Sequence, residues 1–233
     1  MDTSPADAKA TILAWDLPTR IFKWTLVALV VSAWVSNKWG VATPSWHVWN
    51  GIVLLIAVVF RVLWGLFGGS TARFRGFVAS PARGLGYALA LLKGREGHFL
   101  GHNPLGGWMV VALLALLALQ GVTGLYSADE DRLIIEGPLA KTVGDATITF
   151  AAHWHHRLFD LLKIAVVLHV AAVIFHAVVK KERLVPAMVT GAKPARPYED
   201  AAVATPGSIV TALACLAASV AIVLGAVKLL GGW

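Results

Sequence analysis

The chain has 233 residues, of which 58% are hydrophobic and only 14% charged, and its mean hydropathy is +0.71. A water-soluble domain carries about a quarter charged residues, so a soluble globular fold is excluded. The net charge of +7 comes without the interleaved basic and aromatic pattern of a nucleic-acid surface. It is assigned to membrane topology and anionic headgroups, and nucleic acid is excluded as a partner.

The first dozen residues are polar, with Asp2, Asp7 and Lys9, and no short apolar stretch leads to a cleavage site. The expectation is an N-terminal cytoplasmic segment over 1–17 and a first span that acts as its own insertion signal. A bilayer core of roughly 30 Å needs about 20 apolar residues in a helix. The segments that meet this test are Pro18–Trp39, Trp46–Phe67, Pro104–Tyr126, Phe150–Val179 and Gly207–Leu230. Breakers from Gly40 to Pro44 and at Gly68, Gly69 and Ser70 fall between them. The fourth run is longer than a bilayer needs, so it tilts or projects. Between spans two and three, "SPARGLGYALALLKGREG" places Leu85, Leu89 and Leu92 at helical spacing behind Pro81, the pattern of a short amphipathic helix on the membrane surface. A Pro- and Ala-rich stretch reads as a linker over 195–206, leading to a fifth helix over 207–233. Cys215 is the single cysteine, so no disulfide framework or thiolate metal site is available.

Charge predicts the orientation. Arg73, Arg75, Arg83, Lys93 and Arg95 follow the second span, and Lys180, Lys181, Arg183, Lys193 and Arg196 follow the fourth. Between spans three and four the balance reverses, with Asp129, Glu130, Asp131, Glu136 and Asp145 against Arg132 and Lys141. Basic loops stay in the cytoplasm, which places the N-terminus inside and the C-terminus outside.

Ionisable residues in a span are costly and are functional candidates by default. His155 and His169 differ by about 40° around the helix and by about 21 Å along it, so they share a face at two depths. Two histidines so placed suit a helix that holds two stacked haems, each iron taking its other ligand from a facing helix. His47, in "PSWHVWNG", opens the second span at the depth of His155, and Lys23, near the inner end of the first span, stands at the depth of His169. His153 and His156 point away from His169, and zinc binding by "HWHH" lacks a nearby carboxylate or thiolate. His98 and His102 read as helix caps or headgroup contacts, and His176, continuing the stripe, as solvated packing ahead of a haem-propionate contact or a stand-in ligand. The tryptophans near span ends, Trp15, Trp24, Trp39, Trp46, Trp49 and Trp154, fit an interfacial belt. Gly106, Gly107, Gly121 and Gly124 fit close helix packing.

The strings "WDLPTRIFKW", "WHVWNGIVLLIAVVFRVLWGLFG", "GHNPLGGWMV", "LHVAAVIFH" and "ERLVPAMVTGAKP" resemble the bacterial cytochrome b561 family, which includes the b-type subunits of nickel–iron hydrogenases. The similarity runs from about Trp15 to Pro194. It implies an all-α membrane protein: a four-helix transmembrane haem bundle over 18–194, followed here by a fifth C-terminal transmembrane helix. It also implies two b haems, ligands at His47, His155 and His169, and electron transfer between the quinone pool and a partner. The remaining family ligand belongs to a motif R-x-F-H-W, which here reads Arg20-Ile-Phe-Lys-Trp24, so Lys23 occupies that position. A neutral amine binds iron only after losing its proton, which burial favours. Three outcomes stay open: a haem held by Lys23 and His169, an inner haem with one protein ligand or a substitute, and no inner haem, with Lys23 snorkelling to headgroups.

The reading is a multi-pass b-type cytochrome of the bacterial inner membrane, with two haems b expected and one possible. Ubiquinone is a possible further ligand, and a c-type cytochrome or a dehydrogenase subunit the partner. Arg20, Arg61, Arg157 and Lys163 are candidates to pair with haem propionates. Two alternatives are a superoxide:ubiquinone oxidoreductase acting at the periplasmic face, and a haem-poor membrane anchor for a dehydrogenase or c-type cytochrome.

Overall fold

The computed structural model describes residues 10–39, 44–129, 135–200 and 203–233. The first nine residues, the break over 40–43, and Glu130, Asp131 and Arg132 of the acidic loop lie outside the described residues. In chain order the helices are α1 (Leu17–Trp39), α2 (Pro44–Phe67), α3 (Phe74–Phe77), α4 (Pro81–Leu92), α5 (Pro104–Tyr126), α6 (Asp145–Val178), α7 (Leu184–Thr190) and α8 (Ile209–Leu229). The protein is an all-α membrane protein in which α1, α2, α5, α6 and α8 are each long and apolar enough to cross a bilayer.

The span boundaries follow the apolar runs within a few residues, except at the start of α6. That helix begins at Asp145 rather than Phe150, because an acidic residue in the first turn suits the helix dipole although the segment is too polar for a bilayer. Its 34 residues extend about 51 Å. The surface helix α4 is capped by the Ser80 hydroxyl, which accepts from the Arg83 amide at 3.3 Å, with Pro81 in the first turn. Gly84 and Tyr87 are buried on one side, while Leu85, Leu89 and Leu92 are exposed on the other, as a helix lying in an interface requires.

The chain divides into two compact units. The first comprises residues up to Ile21, Trp64–Val111 and His169–Ala212. Here β1 (Thr11–Leu13) pairs antiparallel with β4 (Ala192–Pro194), Thr11 opposite Pro194. Ala14, Trp15, Leu100, Ala187 and Ala204 form a core beneath them. The Gly191 carbonyl accepts from the amides of Ala14 and Trp15 at 2.7 and 2.9 Å. Gly191 itself caps α7 at φ +84°, where a Cβ would meet the Trp15 carbonyl at 2.6 Å, so both conformation and space call for glycine.

The "WDLPTR" string is largely consumed by this packing. Asp16 accepts from the amide of Thr19 at 3.1 Å and from that of Gly207 at 3.0 Å. The Trp64 indole donates to the Thr19 hydroxyl at 3.0 Å, and Arg20 donates to the Val189 carbonyl. The stretch after β4 is also held down: Asp200 accepts from the amides of Leu100 and Gly101 at 2.6 and 2.7 Å. Its Ala-rich composition hid these non-local bonds from a reading by composition.

The second unit comprises Phe22–Leu63, Ala112–Leu168 and Leu213–Trp233. Ile52, Leu55 and Val223 form its apolar core, so α8 docks on α2 here. The docking stripe is Cys215, Ser219, Val223 and Val227, all buried and each four residues from the next, along one helix face. Trp233 stacks on Trp49 with ring centres 5.2 Å apart. A short hairpin of β2 (Ala128–Asp129) and β3 (Ile135–Glu136) follows α5.

Candidate functional site

The site lies wholly in the second unit. His47 enters from the first turns of α2 and His155 from α6, with ring centres 6.3 Å apart and planes at 80°. A metal atom shared by two opposed imidazoles sits about 2 Å from each nitrogen, and each nitrogen about 1 Å from its ring centre, so the centres lie about 6 Å apart. The spacing would admit a metal atom between the two rings.

A cavity of about 120 Å³ opens between them, lined by both histidines and by Gln120, Gly121 and Gly124 of α5. Gly51, one turn below His47, also lines it, and a Cβ there would meet nothing within 4 Å. Small residues thus leave a slot on the face where the imidazoles converge. The buried Nδ1 of His47 has no hydrogen-bond partner among the described residues. A pair of imidazoles facing a largely apolar slot suits haem iron, and this donor set fits that group.

The α5 helix orients His155. Its Nδ1–H donates to the Gln120 carbonyl at 3.0 Å, and the Thr123 hydroxyl lies 3.4 Å from the same nitrogen. This tautomer makes Nε2 the accepting nitrogen and turns its lone pair toward the Gln120 side-chain amide, which a metal would have to displace. The Gln120 side-chain amide lies 3.1 Å from that Nε2. A Cβ on Gly124 would come within 2.9 Å of the His155 ring, so α5 can approach only as glycine. Asn50 is 6% exposed; its amide donates to the Ser32 hydroxyl at 2.7 Å, and its Oδ1 is unpartnered among the described residues. Sequence reading passed over Gln120, Asn50 and Ser32. The available signal was the same one that picked the histidines: polar side chains inside apolar spans.

The other candidates are more dispersed. Lys23 stands on α1 in the second unit, beside buried Phe22, while His169 stands on α6 in the first unit. Arg61 is 3% exposed on α2. Arg157 is exposed on α6, and Lys163 is paired with Asp160 at 2.8 Å. Arg20 is engaged by Val189 in the first unit. There too, His102 packs between Trp15 and Phe77, 4.8 Å from each ring centre, a core role. Among the described residues no group of three or more His, Cys, Asp or Glu is arranged to hold a metal ion, and His153 and His156 are exposed.

Among curated proteins, none matches this chain. The model of a family described as prokaryotic cytochrome b561 matches residues 14–191, well over half of the sequence. That range takes in α1 to α7 and stops before α8.

Proposed function

The chain belongs to the prokaryotic cytochrome b561 family, and on that premise we propose that it carries electrons between the quinone pool and a redox partner at the outer face of the bacterial inner membrane. As a member it is a membrane b-type cytochrome of electron transfer. Support for the finer reading comes first from the 6.3 Å spacing of His47 and His155, which suits the axial ligands of an outer haem. When bound, haem supplies a one-electron ferric/ferrous couple. The protein's own residues hold it from two helices, fix the His155 tautomer through Gln120, and keep water away with the apolar walls of α2 and α5. Arg61 and Arg157 remain candidates for the propionates.

His169 is the proposed protein ligand of an inner haem on sequence grounds, with Lys23 in the family's fourth ligand position. The basic loops over 68–103 and 180–206 support an N-terminus in the cytoplasm. The test is haem per polypeptide, with absorption spectra, for the native chain and for His47→Ala. One haem fewer in the variant supports the outer site; unchanged stoichiometry and spectrum overturn it.

A further inference from the structure

The first unit holds a polar cluster at the end of α6 that haem ligation does not use. Just past the helix, Lys181 adopts φ +53°, a left-handed conformation uncommon outside glycine. The chain turns back there, and the Glu182 amide donates to the His176 carbonyl at 2.9 Å. The Glu182 carboxylate thereby reaches the Nδ1 of His176 at 3.2 Å and, from the segment after α4, the Nδ1 of His98, also at 3.2 Å. Arg196 approaches the same carboxylate at 3.3 Å. One carboxylate joins two imidazoles of unequal access: the His98 side chain is 47% exposed and that of His176 12%.

The surrounding charges are nearly balanced. Lys180 pairs with Glu96, Lys193 is buried and donates to the Phe99 carbonyl at 2.9 Å, and Asp200 is held by backbone amides. The Tyr87 hydroxyl is pushed up by burial and by Glu182, Glu96 and Glu199, so it stays protonated. Burial alone would raise the Glu182 carboxyl, but hydrogen bonds from His176 and His98 outweigh it and bring its pKa to about 2. Glu182 is thus an anion across the physiological range, and its two oxygens face the two imidazoles.

We propose that the His98–Glu182–His176 cluster takes up one proton from the cytoplasmic water when an electron arrives at the His169 end of α6. The inference rests on the reading of His169 as a haem ligand. His176 lies seven residues beyond His169, about 10 Å along the axis and about 20° around it. An added negative charge at that distance in a medium of intermediate dielectric raises proton affinity roughly tenfold. The balance is one electron to the iron and one proton to an imidazole nitrogen, with the electron supplied by a quinol or by the partner. Exposed His98 gives the route from water, and the proton rests on an imidazole held against the Glu182 carboxylate.

The test is potentiometric titration of the full, haem-loaded chain between pH 5.5 and 8.5, with Glu182→Gln and Glu182→Asp. In the native chain one haem midpoint should fall as pH rises, by about 59 mV in all for a tenfold change in affinity. Glu182→Gln should flatten that slope and Glu182→Asp should restore it. A native midpoint independent of pH, or a slope retained in Glu182→Gln, overturns the proposal. If Glu182→Gln does not fold, reduced-minus-oxidised infrared spectra of the native chain with labelled histidine decide. An imidazolium band appearing on reduction supports the proton site, and its absence refutes it. A single haem, lost in His47→Ala, withdraws the reading of His169 and the proton site with it. Two haems with flat midpoints withdraw the proton site alone.

Discussion

At the scale of single residues, the outer site depends on an imidazole held by a neighbour's backbone. The His155 Nδ1–H bond goes to the Gln120 carbonyl, so truncating the Gln120 side chain leaves it in place, whereas crowding the ring does not. Gly124→Val should therefore displace His155, since even a Cβ at that position falls 2.9 Å from its ring. Supporting contacts of this kind are worth about 10- to 100-fold in affinity for the bound metal. The check is haem retained after dilution, with Gln120→Ala expected to keep more than Gly124→Val. Glu182 offers a second measurement. Its folded pKa of about 2 lies below the ordinary value of 4.5, so its contribution to stability is fully present above about pH 4.5. That contribution is lost as pH falls toward about 2. The gap in thermal midpoint between the native chain and Glu182→Gln should be widest near neutrality and close in acid.

At the scale of elements, α8 is a docked helix that contributes no residue to the lining of the outer cavity. Its buried stripe centres on Ser219, which is fully buried and donates to the Cys215 carbonyl at 2.7 Å. Small residues there allow close approach of helices in a bilayer. Ser219→Leu should force α8 away from α2 through overpacking. Cys215 is the single cysteine and is 6% exposed, so it reports the event. Maleimide labelling should be slow in the native chain and several-fold faster in the variant, with outer haem absorbance unchanged. Long apolar runs made the five spans legible, and the Ser80–Pro81 signal did the same for α4. By contrast α3, α7 and the pairing of β1 with β4 were not legible, because each is too short to carry a period. What fixes them is contact with residues distant in the chain.

For the molecule as a whole, haem stoichiometry is the measurement that separates the readings of Lys23. Across the family match, the packing of Trp15, Asp16, Thr19 and Arg20 accounts for most of the first motif without a cofactor. Lys23 is left as the position where the motif and the ligand role meet. Lys23→His should give a second bis-histidine low-spin spectrum if His169 is a ligand, and Lys23→Ala should lower or alter the inner signal. Unchanged spectra in both variants would remove Lys23 from the site. The histidine pair of the outer site was legible because depth and helical phase are simple functions of residue number. The Glu182 cluster was not. It joins His98, His176, Glu182 and Arg196 through a chain reversal that no local pattern announces.

That reversal turns on Lys181. Glycine would adopt φ +53° with less strain, so folding alone gives no reason for a lysine. The proposed orientation offers one: Lys180 and Lys181 directly follow the longest apolar helix, where positive charge would retain a loop on the cytoplasmic side during insertion. On that orientation the lysine at this turn would serve insertion rather than the finished fold. Glycine at 181 would relax the finished turn and weaken the instruction that set the helix in the membrane.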